Sequence, residues 1–337
     1  AARWAPARSL PLSARPRLLL QLDEMGCDES IQQYRPTRSM PGPCTLPIRC
    51  RAGSGGGGGS SSSRSGRRFL EEYCVGDVLG EGNYGVVSSC TSRATGQQFA
   101  VKMVDKVETP VSAIRKEAET LRRLRHPNIV RVHSVFYERL FVYIVMDKYG
   151  GGTLVEGLQA HLRERGPIDC HDVVHVAQQM GASIHFLHGE GIVHRDIKGD
   201  NYLMSVEDMV DPRCRVVLAD FGTAVQVKPE ERLSSWVGTK VFWAPEVFDK
   251  DYGPKADVWA MGVIMYGLAT GNFPFRNERD IRSKEVRISR RVHPVCGCLI
   301  RSMLERDEAA RPSAEQVLAH RWIAQRGAEA APAAAGE

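Results

Sequence analysis

The chain has 337 residues, 42% hydrophobic and 25% charged, which suits a globular protein with room for one large or two small lobes. Its net charge of +5 sits at the amino-terminal end: residues 1–70 hold eleven Arg against four acids and the remainder is slightly acidic, which argues against a nucleic-acid partner. No apolar run approaches the roughly 18 residues of a membrane-spanning helix, and nine scattered Cys with no recognisable signal peptide point to a reducing, cytoplasmic setting.

Residues 1–70 are rich in Arg, Pro and Ser and include a Gly run from Gly55 to Gly59 followed by four Ser. Such a segment buries too little apolar surface to offset its ordering entropy, so a flexible tail is expected. Upstream of Met25 the first 22 residues carry four Arg and no acid, and read as a transit-peptide fragment or a translated leader. Met25-Gly26-Cys27-Asp28-Glu29-Ser30 fits the acceptor pattern for myristoylation at Gly26, with Cys27 placed for palmitoylation. If translation starts at Met25, two acyl chains, or one with Arg35, Arg38, Arg49 and Arg51, meet the two-signal requirement for membrane anchoring. The alternative is an internal Met-Gly without meaning.

From Tyr73 the texture changes. Val78 to Val87 reads as strand, tight turn, strand, with Gly80, Gly82 and Gly85 around Glu81, Asn83 and Tyr84. Glycines at this spacing let a backbone approach phosphates where side chains would collide. A dinucleotide-binding fold shares the spacing, but there a helix follows and here a second strand does. Phe99-Ala100-Val101-Lys102 is a strand ending in Lys, seventeen residues after Gly85. The next segment, Ala113 to Leu124, is a helix with Ile114, Ala118, Leu121 and Leu124 on one face. Glu117 lies beside that face and Glu119 on another side, and Pro127 closes the helix. Val130–Val135 and Phe141–Met146 read as two more strands, followed by the connection Asp147 to Gly152.

Residues 171–189 are expected to form an amphipathic helix. His185, His188 and His194 invite a metal reading that no carboxylate or Cys completes, so packing is the expected use. Cys296-Gly297-Cys298 likewise lacks a second pair at zinc spacing and is expected to place two small apolar residues on a helix. Between these lies His194-Arg195-Asp196-Ile197-Lys198-Gly199-Asp200-Asn201. A proton-accepting Asp, a Lys two residues on and an Asn five residues on can bring a nucleophile, a transferred phosphate and a divalent cation into one small volume, which is phosphoryl-transfer chemistry. An apolar strand, Val216 to Ala219, then ends in Asp220-Phe221-Gly222, 24 residues after Asp196. Gly238 to Glu246 follows with an Ala-Pro-Glu ending, and Lys255 to Tyr266 is apolar nearly all round, as a buried helix is.

These motifs, in this order over residues 73–324, resemble the protein kinase family of serine/threonine type. The wording around Asp196 leans towards kinases of the mitogen-activated cascade, and the hinge and closing helices towards calcium/calmodulin-regulated ones. The resemblance implies an α+β bilobal fold: a small, mostly antiparallel β lobe with one helix at 73–147 and a larger, mainly helical lobe at 150–324, then a tail at 325–337. It implies ATP and Mg²⁺ or Mn²⁺ as cofactors and protein substrates with Ser or Thr acceptors. Lys102, oriented by Glu117, would hold the α- and β-phosphates under the loop Gly80–Gly85. Val87 and Ala100 would pack on the base, with Met146 as gatekeeper and the backbone of Asp147 and Tyr149 facing the adenine. Asp196 would be the base, Lys198 would meet the γ-phosphate, and Asn201 and Asp220 would hold the metal. Lys198 favours Ser/Thr over Tyr acceptors. Thr153 stands where many relatives that favour basic substrates carry an acid, which puts an Arg-directed preference in doubt.

The same resemblance makes His194 and Phe221, with Leu121 and Val132, members of a packing spine. Ser235 or its neighbour Ser234 would be the regulatory phosphosite on a segment, 228–235, that is ordered conditionally, with Arg195 pairing the phosphate. Thr239 would contact Asp196 and Lys198, Asp257 would accept backbone hydrogens from the catalytic loop, and Arg311 would pair with Glu246. Tyr202 is bulkier than the small residue usual beside Asn201. A catalytically silent scaffold and a small-molecule or lipid kinase are the competing readings. The first expects a lost Lys, Asp or Gly, and the second has no use for Thr239 and the Ala-Pro-Glu segment, which serve a peptide groove.

Overall fold

The computed structural model describes residues 68–82 and 85–324. Gly26 and Cys27, the two tails and the loop residues Asn83 and Tyr84 lie outside the described residues, as do the side chains at Glu81 and Gly82. The chain divides into two units: Arg131–Lys148 joins the segment that ends at Arg122, while Arg123–Val130 joins everything from Tyr149 on.

The smaller unit is built on a five-stranded sheet. A short helix α1 (Phe69–Glu72) leads into β1 (Tyr73–Gly82), β2 (Gly85–Ser92) and β3 (Gln98–Asp105). Helix α2 (Val111–Arg123) intervenes before β4 (Val132–Tyr137) and β5 (Phe141–Met146), and the strand order is β1-β2-β3-β5-β4, antiparallel throughout. β3 is central, and its Phe99-Ala100-Val101-Lys102 run is buried on both faces. β2 alternates, with Val86, Ser88 and Cys90 turned inward, the period-two pattern of a strand with one covered face. Helix α2 buries Ile114, Glu117, Ala118 and Leu121, and Glu119 stays in solvent.

An aromatic cluster closes this unit. Phe69 is fully buried, stacks on Tyr143 at 4.4 Å and on Tyr73 at 5.5 Å, and meets Phe136 edge-on. Its N–H donates to Glu138 Oε1 at 2.8 Å. Phe69 and Leu70, expected to belong to the tail, lie instead in helix α1. Phe69 is core, because an aromatic ring beside a sheet gains more from burial than the short helix costs to order.

The larger unit is mainly helical. After α3 (Leu154–Glu164) and α4 (Val174–Gly189), a region of short strands follows: β6 (Ile192–Val193), β7 (Tyr202–Met204), β8 (Val216–Leu218) and β9 (Val225–Gln226). They pair as β6–β9 and β7–β8. Helices α5 (Pro245–Phe248), α6 (Lys255–Thr270), α7 (Glu278–Ser283), α8 (Pro294–Met303) and α9 (Ala314–Ala319) complete it. The unit is organised around α6, which buries residues on every side and ends where Gly271 turns left-handed at φ +69°. Helix α4 starts three residues later than expected; Val174, Val176, Ala177, Met180, Gly181, Ser183, Ile184 and Leu187 are buried on one side, and Gln178 and His185 are exposed on the other. Tyr202 has its reason here, since its ring is wholly buried and its hydroxyl lies 3.3 Å from Ser183 Oγ on α4.

Thr153 caps α3 reciprocally: its Oγ1 accepts from Glu156 N–H at 3.2 Å and Glu156 Oε2 accepts from Thr153 N–H at 2.7 Å. Thr153→Ala is expected to cost about 1 kcal/mol in denaturant unfolding. The loss should be smaller for Thr153→Ser, which keeps the hydroxyl.

Two half-buried histidines in this unit titrate below the usual imidazole range. Burial lowers both His161 and His175, and Nδ1 of the first and Nε2 of the second are enclosed without a partner. Arg165 lowers His161 further, against Asp208, Asp172 and Glu164; at His175, Asp211 and backbone groups oppose the shift. A folded pKa below the unfolded value of about 6.5 means that the unfolded chain binds more protons as pH falls through that value. Stability is therefore present above about pH 6.5 and declines below it. Urea midpoints at pH 7.5 and 5.5 should show the drop, and His175→Gln should reduce it.

Candidate active site

In the smaller unit, β3 and α2 bring Lys102 and Glu117 together. The ammonium lies 2.8 Å from Glu117 Oε1, with both side chains about nine-tenths buried. A buried ammonium is tolerable only with such a partner, and Glu117 owes its inward reach to its place beside the apolar stripe of α2. Two of the glycines at the β1–β2 turn, Gly80 and Gly85, differ in cause. Gly85 has φ +134°, and a Cβ there would drive into the Met103 carbonyl, so this glycine is required by the sheet itself. Around Gly80 a Cβ would meet nothing within 4 Å among the described residues, so the sheet does not require glycine there.

Val87 is half-buried beside β3, and Ala100 and Met146 are buried. The Asp147 N–H donates to the Arg131 carbonyl at 3.1 Å and its carboxylate meets His133 Nε2 at 2.6 Å. Tyr149 belongs to the other unit.

In the larger unit, the loop after β6 is fixed from below. Asp257, fully buried in the first turn of α6, accepts from His194 N–H and Arg195 N–H, both at 2.9 Å, and from His188 Nε2 at 3.0 Å. Burial pushes this carboxyl up, but His188 and the His194 amide outweigh it and hold it low. The His194 ring is wholly buried against Phe221 at 4.9 Å. Arg195 is left-handed at φ +69°, a strained conformation that this network over-determines.

The loop delivers Asp196 into a ring of donors. Oδ1 accepts from Thr239 N–H at 3.0 Å and Thr239 Oγ1 at 2.9 Å; Oδ2 accepts from Asn201 Nδ2 at 3.2 Å and pairs with Lys198 Nζ at 3.3 Å. Lys198 also donates to Thr239 Oγ1 at 3.2 Å. Asn201 spends its amide nitrogen on Asp196, at both carboxylate and carbonyl, so its Oδ1 is the oxygen that can ligate a cation. Ala219 N–H donates to the Asn201 carbonyl at 2.8 Å, and Asp220 follows two residues beyond the end of the β7–β8 pair. Asp220 is half-buried with φ +57°. An amide oxygen and a carboxylate are hard donors and too few for a protein-only cage, which fits a Mg²⁺ that keeps waters and phosphate oxygens.

The segment from Phe221 to Glu246 is anchored at both ends. Thr223 Oγ1 donates to the His194 carbonyl at 2.8 Å, and Gly238, at φ +83°, packs so close to the Arg195 carbonyl that a Cβ would collide with it. Between them the stretch expected to be conditional is held by side chains. Arg232 pairs with Asp251 and Glu308 at 2.7 Å each, and Trp236 Nε1 donates to the Val247 carbonyl at 3.1 Å. Ser234 and Ser235 are both exposed. At the far end, Arg311 clasps Glu246 with both guanidinium nitrogens, at 2.5 and 3.0 Å.

Sequence reasoning missed Tyr252 and, for His188, the bond to Asp257. Both contacts join residues distant in sequence, which leaves no local signal. Cys296 is buried on α8 and Cys298 is exposed, and no cluster of metal-binding side chains is found among the described residues.

The comparisons with known proteins point to one family. A family model described as protein kinase domain matches residues 73–323. Calcium/calmodulin-dependent protein kinase type II of Caenorhabditis elegans is 36% identical over 273 residues, covering 77% of this chain and 37% of that protein. Calcium-dependent protein kinase 25 of Arabidopsis thaliana is 32% identical over 272 residues, 76% of this chain and 51% of that protein. CBL-interacting protein kinase 25 of Oryza sativa subsp. japonica is 35% identical over 275 residues, with 75% and 51% covered. The chain thus spans about half the length, or less, of these curated relatives.

Proposed function

The chain belongs to the protein kinase family, on the side of the calmodulin- and calcium-dependent kinases, and on that premise we propose that it transfers the γ-phosphate of Mg·ATP to Ser or Thr hydroxyls of protein substrates. The observation that carries this is the convergence of Lys198, Asn201 and Thr239 on the Asp196 carboxylate. A carboxylate kept in place by a cation and three neutral donors is set to take or orient the hydroxyl proton of an acceptor. Lys198, bonded to Thr239 as well, stands ready for the charge on the transferred phosphate. Lys102, fixed by Glu117, supplies a positioned ammonium for the α- and β-phosphates.

Asn201 Oδ1 and Asp220 would hold the magnesium, which when bound neutralises charge on the β- and γ-phosphate oxygens. The protein's part is to keep these two oxygens at the end of a hydrogen-bonded strand pair. Regulation belongs to the same reading: a phosphate on Ser235, or on Ser234, would add a dianion for Arg195 to meet.

Labelled γ-phosphate transfer from Mg·ATP to a library of Ser, Thr and Tyr peptides tests the proposal, with Asp196→Asn as control. Transfer to Ser or Thr that disappears in the variant supports it. No transfer from protein shown by mass spectrometry to carry phosphate on the 234–235 segment would sink it and favour a silent scaffold.

A further inference from the structure

Tyr252, between α5 and α6, is almost completely buried yet uses its hydroxyl outward along the chain. Its backbone pairs with Leu233 in both directions, at 2.8 and 3.1 Å, and its hydroxyl donates to the Ser235 carbonyl at 2.7 Å. Arg195 and Tyr252 line one small cleft with Asp196 and Thr239. Arg195 in turn donates from Nε to the Thr223 carbonyl at 2.7 Å, and its own carbonyl packs against Gly238. Arg195 therefore touches the activation segment at Thr223 and Gly238, and Tyr252, in the same cleft, fastens it at Ser235. Asp196 is the next residue in the chain. These contacts are all made by the chain's own groups, and none requires a phosphate.

We propose that Tyr252 is a positioning residue that sets the phosphate-free activity: its hydroxyl, bonded to the Ser235 carbonyl, holds the activation segment on Arg195 and so keeps Thr239 on Asp196. Phosphate on Ser235 offers the same guanidinium a stronger, charge-assisted partner and takes over the tyrosine's part. The inference rests on the kinase reading above and adds the source of basal activity to it.

The test compares wild type and Tyr252→Phe, each prepared without phosphate and with phosphoserine incorporated at position 235. Two readouts are used: kcat for peptide phosphorylation and amide hydrogen exchange over residues 232–239. In the phosphate-free form the Phe variant should lose about fivefold in kcat, the scale of one neutral hydrogen bond. In the phosphorylated form it should stay within twofold of wild type. Exchange over 232–239 should rise only in the phosphate-free variant. Equal losses in both forms, which a merely structural tyrosine would give, overturn the proposal, as does an unchanged phosphate-free variant or a phosphate-free wild type without activity beside an active phosphorylated one. Wild type that transfers phosphate in neither form counts against the kinase reading instead, and the exchange data still decide whether Tyr252 holds the segment.

Discussion

Asp196→Asn is expected to lower kcat for peptide phosphorylation by about 10³-fold while changing KM for ATP less than threefold. The carboxylate stands where an acceptor hydroxyl must lose its proton, so its charge is used in the transition state and contributes little to nucleotide binding. The isosteric amide also meets a local conflict. Oδ1 faces two donors from Thr239, and Oδ2 faces Asn201 Nδ2 and the Lys198 ammonium. Whichever way the new amide turns, its NH₂ points at a donor. A drop of a few degrees in melting temperature should therefore accompany the loss of rate, as one unfavourable hydrogen-bond pairing of about 1–3 kcal/mol gives in a domain of this size. A variant that keeps kcat within threefold of wild type would remove Asp196 from the chemistry, and one that unfolds would leave the rate uninterpreted. Asp196→Glu, which keeps the charge and displaces it by one methylene, separates the two: it should fold as wild type and still lose rate.

The parts of this site that could be read in the sequence are those set by local spacing. Asp196, Lys198 and Asn201 lie within six residues on one loop, so their types and intervals carry their geometry. Lys102 and Glu117 were legible for a related reason, since a central strand and the apolar stripe of α2 each dictate which side chains turn inward. What could not be read depends on contacts distant in sequence. Tyr252 reaches Ser235 across the activation segment, and His188 reaches Asp257 from another helix. No periodicity signals either. Phe69 was assigned to the tail because residues 1–70 as a whole are rich in Arg, Pro, Ser and Gly, and the rings of Tyr73, Phe136 and Tyr143 draw it into the core. Gly85 was read as a phosphate-binding glycine, whereas the Met103 carbonyl would demand it even without a ligand.

Arg311→Ala is expected to be the most damaging single change to stability. The guanidinium is wholly buried; it clasps Glu246 with two nitrogens and donates to the carbonyls of Glu305 and Lys255 at 2.8 and 3.0 Å. It also lies 5.1 Å over the ring of Trp259, itself buried in α6. Removing it strands a largely buried Glu246 carboxylate and two carbonyls, a loss of about 3–5 kcal/mol. That is a large part of the roughly 5–15 kcal/mol that holds a typical domain folded. The buried charge, more than the lost attraction, carries this cost. The double variant Arg311→Met with Glu246→Leu should accordingly unfold at a higher urea concentration than Arg311→Ala, although it restores no ion pair. The carbonyls of Glu305 and Lys255 stay unpaired in both, so recovery should be partial. Kinase activity separates the two functions of the pair. The double variant should regain stability without regaining full kcat, because Glu246 ends the segment that carries Thr239 to Asp196. If Arg311→Ala costs less than about 1 kcal/mol, water reaches Glu246 and the pair belongs with ordinary surface salt bridges.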